Sequence, residues 1–276
     1  MSWKKKKKQI NRTKHKVTLI VGLMFAVVIG LVIFLCFRIF NNTSNNFKVE
    51  SRVKQLEEAQ KKNSKDYETI GWLRIQGTEV DLPIIYSEDI TADFPVELEN
   101  YVWTKNISKE FSDHISIVGH NIFNLSAHPK IKSNSFHRLE QLMAFVYYDF
   151  AKDNQYIQLT WDGKDYVYKI FAAGFVNTVD ASFFNRYGTP TKETIKFEEE
   201  FVKKTSLYDY DVEVDENDSL ISLSTCTRFY GSNSGLEFYV TGRLLRDEEK
   251  IEHYKVTKNS NYNEIEKKLK GDEENE

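Results

Sequence analysis

Between residues 70 and 245 apolar and polar positions alternate, or apolar positions run together, in seven short segments. They are IGWLRI (70–75), VDLPIIYS (80–87), HISIVGH (114–120), QYIQLTW (155–161), DYVYKIFAAGFV (165–176), SLISLST (219–225) and LEFYVTGRLL (236–245). Each is rich in β-branched or aromatic residues and is bounded by turn residues, which predicts strands. This many strands with few helices predicts a mostly-β domain whose sheet closes, or nearly closes, into a barrel. A helical period appears at residues 49–63, where Val49, Val53, Leu56 and Ala59 recur every three or four positions. It appears again at 191–207, with Ile195, Phe201 and Val202 on one face and Thr191 as N-cap. SFHRLEQLMAFVYYDF, from Ser135, fits a helix or a helix running into a strand. Beyond Asp247 the chain is charged and poor in apolar residues, the pattern of a flexible tail over 248–276.

The longest apolar run precedes all of this. Val17 to Phe37 is 21 residues without a charge. As a helix that is about 31 Å, enough to cross the hydrocarbon core of a bilayer. Bulky Phe37, Ile39 and Phe40 follow it rather than a small-residue cleavage site, so it reads as a permanent span. Residues 1–16 carry eight Lys and Arg and no acid, which keeps that end in the cytoplasm and puts the rest of the chain outside. The expected order is therefore a basic segment (1–16), a transmembrane helix (17–37), a spacer with a helix (38–65), the barrel (66–247) and the tail. Setting aside those eight residues and Arg38, the remaining chain holds 29 basic and 41 acidic residues, a balance of −12. That acidity argues against nucleic acid as a partner. No cluster has metal-ligand spacing and no glycine-rich phosphate loop occurs, so no cofactor is expected.

With only two cysteines a disulfide framework is excluded, and Cys36 lies within the span. Cys226 ends the strand SLISLST and is either a small buried hydrophobe or a nucleophile. A nucleophile needs an imidazole neighbour and an oxyanion donor. Of the six histidines, His120 stands at a strand-to-loop junction, where a rigid scaffold can hold a reactive group. His114, His128 and His137 fit surface or capping roles. Arg228, Arg243 and Arg246 are the arginines near Cys226.

These residues resemble a known family. SLSTC (222–226) is similar to the T-L-x-T-C signature of sortases, membrane-anchored cysteine transpeptidases of Gram-positive bacteria. VGHN (118–121) resembles their histidine segment, and IGWLRIQGTEVDLPII (70–85) the stretch that opens their barrel. The helix at 191–207 followed by YDYDVEV is similar to the insertion of the class B members. The resemblance implies an eight-stranded barrel in which Cys226 attacks a carbonyl in a C-terminal sorting signal and forms a thioacyl enzyme. An amine from a peptidoglycan precursor or a pilin lysine would resolve it, with His120 moving the protons. The candidate substrate-binding residues are Ser224, Thr225, Asn121, Asn233 and Glu237. The family's catalytic arginine is expected five residues before Gly242, where this chain has Glu237. Arg228, two residues after Cys226, is the candidate replacement, with Asn233 or backbone N–H groups as the other donors. Arg243 reads as a barrel-surface charge. The alternative to an enzyme is a tethered factor that uses a sortase-like barrel to hold a pilin or surface protein.

Overall fold

The computed structural model describes residues 29–31, 47–63, 67–86, 102–104, 111–119, 121, 129, 138–177, 192–231 and 234–273. The chain divides into two units, Met1–Asn46 and Phe47–Glu276. Of the first, Ile29 to Leu31 are helical; the rest of the expected span lies outside the described residues. Among the described residues no helix is long and apolar enough to cross a membrane.

In the second unit, helix α1 (Val53–Gln60) precedes strands β1 (Glu68–Ile75), β2 (Asp81–Tyr86), β3 (Val102–Thr104) and β4 (His114–Gly119). A 3₁₀ helix (Arg138–Val146) and helix α2 (Tyr148–Asp153) lead into β5 (Tyr156–Trp161) and β6 (Lys164–Asn177). Helix α3 (Lys192–Thr205), the short β7 (Tyr208–Tyr210), β8 (Leu220–Cys226) and β9 (Leu236–Leu244) follow. The chain closes with β10 (Val256–Lys258) and helix α4 (Tyr262–Glu273). Eight strands form a closed barrel in the order β1-β2-β3-β4-β8-β9-β6-β5. All seven segments read from the sequence are strands of it. The eighth, β3, has only three residues, too few for alternation to reveal it.

Period-2 alternation assigns the faces, because directly paired residues project to the same side. Leu73, Ile84, Leu159, Ile117, Leu223 and Val240 point inward and are fully buried. The β5–β6 hairpin turns on Asp162-Gly163, whose positive φ values of 48° and 70° match the twist of the strands it joins.

The outer face of β4, β8 and β9 is covered by α3. Gly174 on β6 allows the helix end to approach closely: a Cβ there would lie 2.5 Å from the Thr205 carbonyl oxygen. Tyr239 Oη–H donates to the Val202 carbonyl at 2.8 Å, fixing the helix over β9.

The segment expected to be a flexible tail is folded through residue 273. β10 pairs with β7, and α4 buries Tyr262 and Ile265 at 4% and 1% exposure. Asn261 Nδ2 donates to the carbonyls of Lys204 and Ser206 at the end of α3. Tyr262, Ile265 and Leu269 recur at helical spacing, an apolar stripe that the surrounding charges obscure in the sequence.

Candidate active site

The register of three adjacent strands defines the site. β4 and β8 run parallel, with Gly119 opposite Thr225. β8 and β9 run antiparallel, with Ser222 opposite Thr241, Ser224 opposite Tyr239 and Cys226 opposite Glu237. Ser222, Ser224 and Cys226 therefore share the outer face with Thr241, Tyr239 and Glu237. Along β8 that face is buried from Leu220 to Thr225 and opens at Cys226, which is exposed. The exposure removes the reading of Cys226 as a small core hydrophobe.

Two hydrogen bonds converge on this point from β4 and the residues after it. Thr225 Oγ1–H donates to the carbonyl of Gly119 at 2.8 Å. Asn121 Nδ2 donates to the carbonyl of Cys226 at 2.9 Å. Thr225 and Asn121 are 2% and 4% exposed, so neither bond competes with water. Gly119 and Asn121, on either side of position 120, are thus tied to β8. His120 and Asn233 themselves lie outside the described residues.

The other residues of the expected set fall in different places. Ser224 and Thr225 are buried, Ser224 at 1% exposure, so they support the site from beneath and do not present side chains to solvent. Glu237 is half-buried beside Cys226. The N–H of Thr227 donates to the carbonyl of Leu236 at 3.3 Å, which makes Cys226 and Glu237 a non-hydrogen-bonded pair, the type whose side chains stand closest. Arg228 is exposed beyond the end of β8, and its carbonyl accepts the Gly231 N–H at 2.8 Å in a tight turn.

Arg243 is not a surface charge. It is 1% exposed and gives Nη1 and Nη2 to the carboxylate of Glu249 and Nε to the carbonyl of Glu213. That pairing holds Glu249 far below the usual carboxylate range. Arg243 faces Leu220 at the far end of β8, roughly 20 Å from Cys226 at about 3.4 Å per residue.

Sequence reasoning also missed a buried polar cluster on the same face. Glu198 of α3 is 2% exposed; its Oε1 accepts the Ser222 hydroxyl at 2.6 Å and lies 3.0 Å from His114 Nε2. His114, expected at the surface, is therefore part of the contact between α3 and the barrel. Burial pushes its imidazole pKa down, but the charge and hydrogen bond of Glu198 outweigh this and the net shift is upward. The only signal in the sequence was an acidic residue within the helical stripe of α3, which charge patterning alone assigns to solvent.

A family model described as the Sortase domain matches residues 73–245. The fold is similar to that of sortase B from Clostridium perfringens, with 21% identity, 70% of this chain and 99% of that chain covered, and a TM-score of 0.53. Sortase B from Staphylococcus aureus has 17% identity over 72% of this chain and 88% of that chain, with a TM-score of 0.54. The Staphylococcus aureus sortase B–substrate complex has 16% identity over 76% and 91%, again with a TM-score of 0.54. No protein of curated function matches the chain in sequence.

Proposed function

Because the chain belongs to the sortase family, we propose that it is a cysteine transpeptidase of class B type, anchored by residues 17–37 with its barrel outside the cell. Its substrates are a C-terminal sorting signal of a surface protein or pilin and an amine acceptor from the cell wall or a pilin lysine. The observation that carries the reading is the pair of tethers around position 120, meeting an exposed thiol.

In this mechanism the Cys226 thiolate attacks the carbonyl carbon of the scissile peptide bond. The C–N bond breaks as the His120 imidazolium gives its proton to the departing amine, leaving a thioester and a neutral imidazole. The acceptor nitrogen then forms a new C–N bond, the C–S bond breaks, and the imidazole takes a proton from the attacking nitrogen. Arg228 serves as oxyanion donor, reaching over from the turn that follows β8. The mirror case, a barrel that only holds its partner, draws support from the carboxylate of Glu237 opposite Cys226. The exposure of the thiol argues against it, since a holding role needs none.

The test uses the full-length chain in detergent micelles with peptides spanning the C-terminal segments of the cell's surface proteins. Cleavage is expected to vanish in Cys226→Ala and His120→Ala and to fall at least tenfold in Arg228→Ala, with Arg243→Lys as the comparison outside the site. Full cleavage in Cys226→Ala or His120→Ala would remove the assigned roles.

A further inference from the structure

We propose that helix α4 is a positioning element for the reaction: Lys268, acting through Phe229, holds the turn that carries Arg228 beyond Cys226. The inference rests on the transpeptidase reading and ties a segment outside the barrel to the chemistry.

The sheet gives up its hold on the chain just past the nucleophile. β8 ends at Cys226, and one residue on, the Thr227 N–H still donates to the Leu236 carbonyl at 3.3 Å. Beyond that point the chain is a turn. The Gly231 N–H donates to the Arg228 carbonyl at 2.8 Å, and the Phe229 N–H to Thr227 Oγ1 at 3.1 Å. Arg228 is exposed, but its neighbours Thr227 and Phe229 are 5% and 1% exposed. The backbone from which the guanidinium reaches is therefore placed by what packs on Phe229. Phe175 of β6 stacks on that ring at 5.2 Å between centroids, and Lys268 Nζ lies over it, 5.4 Å from the centroid. The ring's quadrupole attracts the ammonium, while the lysine stem shields the ring from water.

α4 can hold the turn because its start is fixed elsewhere. Asn259 and Asn261 each donate Nδ2–H to the Ser206 carbonyl, at 2.9 and 2.8 Å. Tyr262 and Ile265 are buried, with the Tyr262 ring 5.3 Å from that of Tyr208. Glu264 and Lys268 are one helical turn apart, so they stand together on one flank of this buried stripe. They address consecutive aromatic residues of the turn. Lys268 covers Phe229, and the Glu264 carboxylate adds to partial burial in raising the pKa of the Tyr230 phenol. One flank of α4 thus meets two successive side chains shortly after the nucleophile. Misplacing a reacting group by about 1 Å can cost up to about a hundredfold in rate, so support of this kind reaches turnover through Arg228.

The test uses the full-length chain in micelles. It reads amide exchange in the 227–231 turn by mass spectrometry, beside kcat and KM for peptide cleavage. Lys268→Met keeps the stem and the helix but removes the cation, whereas Lys268→Arg keeps the cation. Losing one cation–π contact at a partly exposed site is expected to speed exchange in the turn about two- to fivefold. Exchange in β1, across the barrel from β8, is expected to stay unchanged. kcat is expected to fall at least about twofold while KM for the donor peptide holds, with Lys268→Arg restoring both exchange and kcat. In a Phe229→Leu background, which has no ring face, Lys268→Met is expected to add nothing. That arm separates the contact with the ring from any other that Lys268 makes. The proposal is overturned by unchanged exchange in Lys268→Met, by an equal rise in β1, by faster exchange with kcat unaltered, or by the same effect in the Phe229→Leu background. Should the wild-type chain cleave no peptide, the transpeptidase reading fails, and the exchange data still decide whether α4 holds the turn.

Discussion

Replacing Glu198 tests how the outer face of the barrel is held closed up to Cys226. The carboxylate is buried to 3% side-chain exposure, accepts Ser222 Oγ–H at 2.6 Å and lies 3.0 Å from His114 Nε2. At acid pH, where His114 is protonated, Glu198→Ala strands a part-buried imidazolium and a buried hydroxyl under α3, and breaking such a pair costs up to about 3–5 kcal/mol. For a domain of this size, where each kcal/mol moves Tm by roughly 2–4 °C, that is a fall of about 6–20 °C. Glu198→Gln keeps the shape and an acceptor for Ser222 but loses the charge, so its cost comes mainly through His114. The pH dependence follows in sign. The folded-state pKa of His114 is raised above its ordinary value of 6.5. Stability from the pair is therefore fully present below pH 6.5 and is lost as pH rises through the raised value. Each unit of that rise is worth about 1.4 kcal/mol. Denaturant unfolding of wild type and Glu198→Gln from pH 5.5 to pH 9 isolates the pair, since other titrations cancel in the difference. The gap between the two proteins is expected to be widest at the acid end and to shrink with rising pH. A constant gap, or one that grows with pH, would refute the argument.

Two further outcomes are expected from the same geometry. Thr225→Val and Asn121→Ala each remove one tether around position 120, at a cost of about 1–2 kcal/mol in stability. Because small displacements of a reacting group can cost up to about a hundredfold, each is expected to slow thioacyl formation by roughly ten- to a hundredfold. Single-turnover kinetics at wild-type rate in both variants would dismiss the tethers as purely structural. Gly174→Ala puts a methyl 2.5 Å from the Thr205 carbonyl, which only a shift of α3 can relieve. It should destabilise by about 1–3 kcal/mol in urea unfolding, and a loss under about 0.5 kcal/mol would mean that α3 is not held against β6 as described.

The barrel was legible in the sequence because its strands are buried on at least one face. LISLSTC and DYVYKIFAAGFV carry enough branched and aromatic residues to declare themselves without tertiary information. β3 was not legible, since three residues carry no period. The C-terminal appendix was misread for a different reason. Its α4 helix carries a sparse stripe of buried Tyr262 and Ile265 and part-buried Leu269 in a run of Glu and Lys, and the packing of the segment depends on β7 and on Tyr148, whose ring lies 6.4 Å from that of Tyr262. Charge on the barrel behaved likewise. His114 and Arg243 each looked like a solvated side chain; His114 instead packs against the carboxylate of Glu198 on α3, and Arg243 is buried against Glu249 six residues on. A sequence reports that a charge exists, but its partner is decided by packing. The motif singled out Cys226 in the sequence, while its pairing with Glu237 is set by the register of β8 and β9.

The central claim is that Cys226 carries the acyl group between donor and acceptor. It is tested most directly by incubating the full-length chain with the surface-protein C-terminal peptides and hydroxylamine, and reading both products by mass spectrometry. The account predicts an acyl adduct on Cys226 that hydroxylamine releases as a peptide hydroxamate, with neither species formed by Cys226→Ala. Hydroxamate from Cys226→Ala, or cleavage by the wild-type chain that leaves no acyl group on Cys226 and traps no hydroxamate, would contradict it.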